Sequence, residues 1–485
     1  MKRGQLGTGR SAVKDLSMAR RDFIKACVAG TSSAAFTTSL AGSALPLGDR
    51  ATPSRPNILY LHSHDTGRYI QSYGFNVPTP NLHRVAEEGV LFRQAFCAAP
   101  TCSPSRAALL TGMCPHSSGM LGLAHRGFTL NDYHQHLLYT LRSAGYSSAL
   151  VGVQHVARDA AMIGYDQVRE FPGNHVEQVA PATVDFLKSS PKQPFFLDVG
   201  FHETHRTFRT PGPQENPAFQ LPPAPIADAP ETRQDVAAFK ASARVLDWGI
   251  GEILHALDTS GLAANTLVIS TTDHGIAFPE MKCNLYDGGV GVRLALRGPG
   301  GFEGGAICDA MISQMDIFPT LCDLLQIQPP PWLQGKSFLP VLRREVAEIN
   351  EEIFAEVNYH AAYEPLRCVR TKRWKYVRRF GSRAHPVLCN CDNGPSKSLW
   401  VKIGWGDRIL PREELFDLFF DPNEGRNLVD SPALQATLND LRGRLDRWMH
   451  ATDDPLLKGP VKAPRGARVN DADGVSPGEA PHIVP

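Results

Sequence analysis

Cys102-Ser103-Pro104-Ser105-Arg106 places a thiol and a guanidinium four residues apart, ahead of Ala107–Leu110 and Thr111-Gly112. Pro100 to Pro104 keep the chain non-helical, and Pro104 suits the first turn of a helix running through Leu110. Cys102 then stands at a helix N-terminus, where free N–H groups and the dipole favour anions. Arg106, one turn on, adds a fixed cation suited to sulfate or phosphate oxygens. The ordinary reading of such a cysteine is a buried thiol before a capped helix. Two more polar clusters, His62-Ser63-His64-Asp65 and Thr271-Thr272-Asp273-His274-Gly275, follow apolar runs. Ligands bind at the carboxyl ends of strands in open α/β sheets. Taken singly, each of these Asp and His residues is an ordinary loop residue.

The elements that must position these groups alternate from Pro56 onward. Asn57–Leu61, Ser148–Val153, Phe195–Val199, Thr266–Thr271 and Arg293–Leu296 read as short buried parallel strands. Thr79-Pro80 reads as the cap and first-turn proline of a helix that Gly89 closes. Gln234–Asp258 is a long periodic helix, and Met315–Gln326 another, stopped by Pro329-Pro330-Pro331. This alternation predicts an α/β fold with a large, mostly parallel or mixed sheet flanked by helices. After about Arg344 the pattern changes. Ile353–Val357, Leu366–Val369, Trp374–Val377 and Glu414–Leu418 read as strands and Ala433–Met449 as a helix, predicting a smaller α+β domain on a short antiparallel sheet. The expected boundaries are a leader over 1–45, a main domain over 55–345, a C-terminal subdomain over 350–455 and a flexible tail over 458–485.

Composition bounds the rest. The 485 residues carry 50 Lys and Arg against 49 Asp and Glu, a formal charge of +1, which gives no support to a nucleic-acid binder. A hydrophobic share of 42% and a charged share of 20% fit a globular chain. Residues 1–25 hold seven basic and two acidic side chains, and Ala26 to Leu45 carry no charge. That order reads as a secretory signal, and Arg20-Arg21-Asp22-Phe23-Ile24-Lys25 resembles the twin-arginine pattern that exports folded proteins. Met18 is an alternative start. The expected destination is the periplasm or exterior of a bacterium, by way of the twin-arginine machinery. No stretch is long and apolar enough for stable membrane insertion. Ten cysteines are too dilute for a disulfide scaffold. Cys389 and Cys391 lack a second pair at zinc-finger spacing. Trp374, Trp400 and Trp405 offer either stacking faces for a sugar or core packing.

Cys102 to Gly112 resembles the full sulfatase signature, C-x-P-S-R-x-x-x-L-T-G. The resemblance implies an alkaline-phosphatase-like fold and oxidation of Cys102 to formylglycine by a generating enzyme that reads C-x-P-x-R. One geminal hydroxyl of the hydrated aldehyde attacks sulfur and the other helps expel sulfate. The alternative is a non-catalytic relative that binds sulfated sugars. The family's metal ligands fall at the two strand-end clusters, implying one divalent ion on His64, Asp65, Cys102, Asp273 and His274. Calcium is the expected ion, with His64 a weak or outer ligand. Imidazoles at 64 and 274 open the site to manganese or zinc.

Phe195-Phe196-Leu197-Asp198-Val199-Gly200-Phe201-His202-Glu203-Thr204-His205-Arg206 resembles a segment of the heparan N-sulfatase (sulfamidase) branch. Gly275-Ile276, Phe278-Pro279, Asn284-Leu285-Tyr286 and Leu415-Phe416-Asp417 also resemble it. The implied substrate is a small sulfated saccharide of the N-sulfoglucosamine type. By this resemblance His202 protonates the leaving atom, His155 takes the proton that lets sulfate depart, and Lys282 contacts sulfate. His205 and Arg206 either line the entrance or are solvated loop residues. One position departs: the family Lys two residues before His155 is Val153. Another cation such as Lys282 or Arg206 fills in, or the substrate is a phosphonate or phosphate ester, or the protein is a weak member.

Overall fold

The computed structural model describes residues 55–485. The expected leader, with its Arg20-Arg21 pair, lies outside the described residues. Eight strands form the main sheet: β1 (Asn57–Ser63), β2 (Val90–Phe96), β3 (Ser147–Gly152), β4 (Gln167–Arg169), β5 (Phe195–Gly200), β6 (Thr266–Thr272), β7 (Leu294–Arg297) and β8 (Ala306–Ser313). Their order is β4-β3-β5-β1-β6-β7-β2-β8. The first five are mutually parallel. β7 runs antiparallel to both neighbours, which corrects the expectation that Arg293–Leu296 is a parallel strand. The chain leaves β6 and re-enters beside it at the same end of the sheet, without the crossover a parallel neighbour requires.

Every residue of β1, β5 and β6 is buried, as strands covered on both faces must be. Alternate residues serve opposite cores. Ile58, Tyr60, Phe196, Leu267 and Ile269 face one cluster. Leu59, Leu61, Leu197, Val199 and Val268 face the other, against Leu246, Ile250, Ile253, Leu254 and Leu257 of helix Pro230–Thr259. Each such leucine contributes roughly 1.5–3 kcal/mol of burial. Helix Pro80–Glu88 starts at the expected proline, but the Thr79 hydroxyl donates to Val77 and does not cap it. Asp247 of the long helix accepts instead from Asn81 N (3.2 Å) and Leu82 N (2.8 Å). The expected Met315–Gln326 helix is a 3-10 turn over Gln314–Asp316 followed by helix Ile317–Leu324.

Strands β9 (Glu352–Tyr359), β10 (Tyr363–Thr371), β11 (Trp374–Arg379) and β12 (Glu413–Asp417) form a separate antiparallel sheet. Helix Gln435–Ala451 covers it with Leu438, Leu441, Leu445 and Met449, one stripe at helical spacing, packed on Val369, Tyr376 and Leu415. The segment expected as a flexible tail is packed. β13 (Arg468–Val469) pairs with β14 (His482–Ile483), Val461, Ala467, Val469 and Asn470 are buried, and Arg126 donates to Asn470 Oδ1 (2.7 Å) and Pro477 O (3.0 Å). Its order comes from neighbours, which its composition does not reveal. Among the described residues no helix is long and apolar enough to cross a membrane. Nine described cysteines are buried and unpaired. Cys389 and Cys391 enter different clusters, and Trp400 packs edge-on against Trp405 in the core.

Candidate active site

Four neighbouring parallel strands, β3, β5, β1 and β6, end side by side and release Val153–His155, Phe201–His205, His64-Asp65 and Asp273-His274. The register sets Ser63 beside Thr272 and His62 beside both Gly200 and Thr271. Close approach of the strand ends depends on Gly200, where a Cβ would stand 1.9 Å from Val153 O and 2.4 Å from the His62 ring. Asp65 (φ 51°), His155 (φ 60°) and Cys283 (φ 66°) adopt left-handed backbone at the site. Such conformations cost about 1–3 kcal/mol each and cluster where side chains must be aimed.

Helix Cys102–Thr111 is buried along its whole length, with Thr101 extended ahead of it. Cys102 is 1% exposed, and burial pushes its thiol well above the usual range despite Lys282 nearby. A neutral thiol is a poor nucleophile. Arg106 does not turn outward to an anion as expected. It donates to Asp273 Oδ2 (3.0 Å) and Ser63 O (3.1 Å) and meets His62 Nδ1. His62 Nε2 pairs with Asp198 at 2.7 Å, and Tyr165 donates to the other Asp198 oxygen at 2.5 Å. Arg106 is therefore a buried brace beneath the cluster, held by a chain of groups that sequence reading left without roles. An aspartate inside the apolar run of β5 was the one available signal.

Ligand atoms of His64, Asp65, Cys102 and Asp273 lie within 4.8 Å of one another, all buried. His64 Nδ1 is 3.0 Å from Asp273 Oδ2 without hydrogen-bond alignment, so it is an orphaned buried nitrogen turned into the cluster. His274 Nε2 stands 3.3 Å from both Cys102 Sγ and Asp65 Oδ1. Burial pushes the Asp273 carboxyl up, but His274, Arg106 and His64 hold it well below the usual carboxylate range. Burial keeps the His64 imidazole well below its usual value, with Arg106 adding to the effect. The two carboxylates, the His64 nitrogen and the residue-102 side chain, gathered with no ligand atom more than 4.8 Å from another, fit a divalent cation, with His274 beside them.

Lys282 is 2% exposed and bridges Asp65 Oδ2 (2.8 Å) and Asp392 Oδ2 (2.7 Å), with His205 Nε2 at 3.3 Å. Burial opposes its charge, and Asp392 and Asp65 restore it well above the usual lysine value. Asp392 is a further residue that sequence reading passed over, since attention there fell on the flanking cysteines. His360, buried with Nδ1 unpartnered, has Lys282 and Asp392 as charged neighbours. The C-terminal part of the chain thus completes the pocket.

The remaining imidazoles form a wall. The His64 ring lies 5.5 Å from that of His155, 6.1 Å from that of His202 and 5.5 Å from that of His205. Burial, followed by His205 and His175, brings His202 down to about 4. His155 is also held well below its usual value, by burial and then by His125. His125, unremarked in the sequence, lies edge to edge with His155, ring centroids 5.2 Å apart. Arg206 is not at the entrance: it forks onto Asp235 with two 2.7 Å bonds, donates to Ala277 O and stacks over Phe208. All of its nitrogens are engaged. Val153 brings no charge, and Lys282 is the cation nearest the cluster besides Arg106.

A family model described as Sulfatase matches residues 56–327, and one described as N-sulphoglucosamine sulphohydrolase, C-terminal, matches residues 280–398. Human N-sulphoglucosamine sulphohydrolase is 29% identical over 469 residues, covering 85% of this chain and 93% of the relative. An ulvan-active sulfatase of Formosa agariphila is 27% identical, covering 84% and 77%. Among solved structures, one in complex with its substrate D-glucosamine-2-N,6-O-disulfate superposes with a TM-score of 0.67 at 18% identity, covering 82% and 98%. The phosphonate monoester hydrolase of Agrobacterium radiobacter gives 0.62 at 21% identity, covering 84% and 100%. The first of these family models spans more than half of the sequence, including the strands that carry the buried cluster: the chain belongs to the sulfatase family.

Proposed function

We propose that this sulfatase hydrolyses sulfate from saccharides of the N-sulfoglucosamine type, using formylglycine made from Cys102 and one divalent metal ion. The observation that carries the reading is Cys102, within a complete modification motif and inside the buried His64–Asp65–Asp273 cluster. Asp65, Asp273, His64 and His274 would hold the metal together with the modified side chain, and calcium is the proposed ion. The bound metal and the hydrated aldehyde supply a polarised oxygen nucleophile and a route for sulfate release.

The chain's own residues do the rest. Lys282 offers its ammonium to the sulfate oxygens from between two carboxylates. Arg106 holds Asp273 in place from below. His202 gives a proton to the departing oxygen or nitrogen, and His155 removes one from the hydroxyl on residue 102. His205 stands beside Lys282 at the rim. The uncharged run after Arg20-Arg21 supports export by the twin-arginine route, after a formylglycine-generating enzyme has acted.

Two measurements test this. Mass spectrometry of the Cys102 peptide, from cells that hold the modifying enzyme, is expected to show the aldehyde. An unmodified thiol in every preparation would leave a sugar-binding protein instead. Sulfate release is then compared among N-sulfoglucosamine, O-sulfated sugars and an aryl phosphonate ester. Preference for the phosphonate would overturn the substrate class and would explain why Val153 replaces a cation.

A further inference from the structure

We propose that His125 is a positioning residue that fixes the tautomer of His155, leaving His155 Nδ1 as the nitrogen that accepts the reacting proton. This rests on the hydrolase reading above for the reaction itself, but its geometry stands apart. His125 Nδ1 lies 2.9 Å from His155 Nε2, and the two rings are within 13° of parallel. His155 Nδ1 is buried and has no partner.

A neutral imidazole carries one N–H, and the partner of one nitrogen decides which nitrogen keeps a free lone pair. If His155 Nε2 holds the proton, it donates to His125 Nδ1, and Nδ1 of His155 is left bare. The opposite tautomer would bury an N–H with no acceptor. His125 is solvent-exposed, so water satisfies its own Nε2–H. The pair has the logic of a base oriented by a third group, with an imidazole in place of a carboxylate.

The turn that carries His125 is fastened at both ends. Ala124 N donates to Ser103 Oγ at 3.0 Å, tying it to the helix that bears Cys102. Arg126 is clamped by Asn470 and Pro477 of the C-terminal segment. His125 therefore keeps a set distance from the nucleophile as well as from His155. Val153 itself brings no charge, and His155 follows it by two residues.

The test uses full-length, formylglycine-bearing protein and N-sulfoglucosamine as the probe. His125→Leu is expected to lower kcat about 10–100-fold, a share of what a general base contributes. KM stays within about twofold, and the aldehyde content seen by mass spectrometry is unchanged. His125→Gln, whose amide oxygen still accepts from His155, keeps kcat within about threefold of wild type. Wild-type kcat in His125→Leu, or an equal fall in both variants, would overturn the proposal. A second readout needs no turnover: histidine 15N shifts, assigned by difference with His155→Gln, report which nitrogen of His155 is protonated. A proton on Nδ1 in the wild type would also overturn it. Should the wild type release no sulfate, the hydrolase reading fails while the 15N measurement still decides the tautomer.

Discussion

His116→Gln gives a direct test of how the nucleophile segment is braced. His116 follows the nucleophile helix, and its ring Nδ1 pairs with Glu356 on β9, with Asp454 at 3.9 Å. Arg367 holds Asp454 at 2.6 and 2.9 Å and approaches Glu356 at 3.7 Å. All four side chains are 0–1% exposed. Two carboxylates face one guanidinium and one imidazole, so the network balances only while His116 is charged. Burial opposes that charge, but Glu356 and the Cys114 contact raise His116 to about 11. Glutamine leaves a net negative charge buried, which costs about 3–5 kcal/mol. At about 2.1 cal/mol/K per residue, a unit of roughly 430 residues loses about 1 °C per kcal/mol, so the melting temperature near neutrality falls about 3–5 °C. The pH dependence is more telling. The folded value lies above the unfolded one of about 6.5, so the stabilisation is complete below that pH and is lost as pH rises towards about 11. Between pH 7 and 9 the wild type therefore loses roughly 2–3 kcal/mol through this one group, which the variant does not. Calorimetry of both proteins at the two pH values reads the difference. Equal pH slopes would refute a charged His116.

Other perturbations reach the site itself. Lys282→Met is expected to lower kcat about 10²–10³-fold, the scale of one lost charge-stabilising donor, and unchanged turnover would remove Lys282 from the reaction. Gly200→Ala forces a Cβ onto Val153 O and should destabilise the fold by at least about 1–3 kcal/mol in thermal melts, while a wild-type melt would mean that the strand ends are not so close. Chelation is expected to lower the melting temperature and abolish sulfate release, with calcium restoring both; one zinc or manganese per chain and no calcium in native protein would overturn the ion assignment. Val153→Lys should raise sulfate turnover, and no rise would mean that another group already serves in its place.

Strands β1, β3, β5 and β6 were legible because buried parallel strands read as continuous apolar or β-branched runs. β2 and β8 were not. Arg93 and Gln94 interrupt β2 where its register with β8 shifts, and β8 exposes Ile307 and Asp309 at the sheet edge. The site divides in the same way. Cys102, His64, Asp65, Asp273 and His274 could be singled out because they lie in short segments that resemble the family's motifs, whereas His125, Asp392 and His360 reach the pocket only through tertiary packing. Arg206 misled for a related reason: its partner Asp235 is remote in sequence, so nothing local shows that the guanidinium is already engaged.

The depth of Cys102 sets an order of events. Its sulfur is buried against His274 Nε2 at 3.3 Å, and Glu356 N of β9 donates to Ala98 O, just upstream, at 2.9 Å. β9 lies some 250 residues farther along the chain, so it leaves the ribosome well after the cysteine. If Cys102 is modified as proposed, an enzyme that must grasp an extended C-x-P-x-R segment would have only that interval in which to work. Folding speed in the second sheet would then limit how many molecules become active. Variants that hasten its closure should carry less aldehyde even when their finished pockets are unaltered.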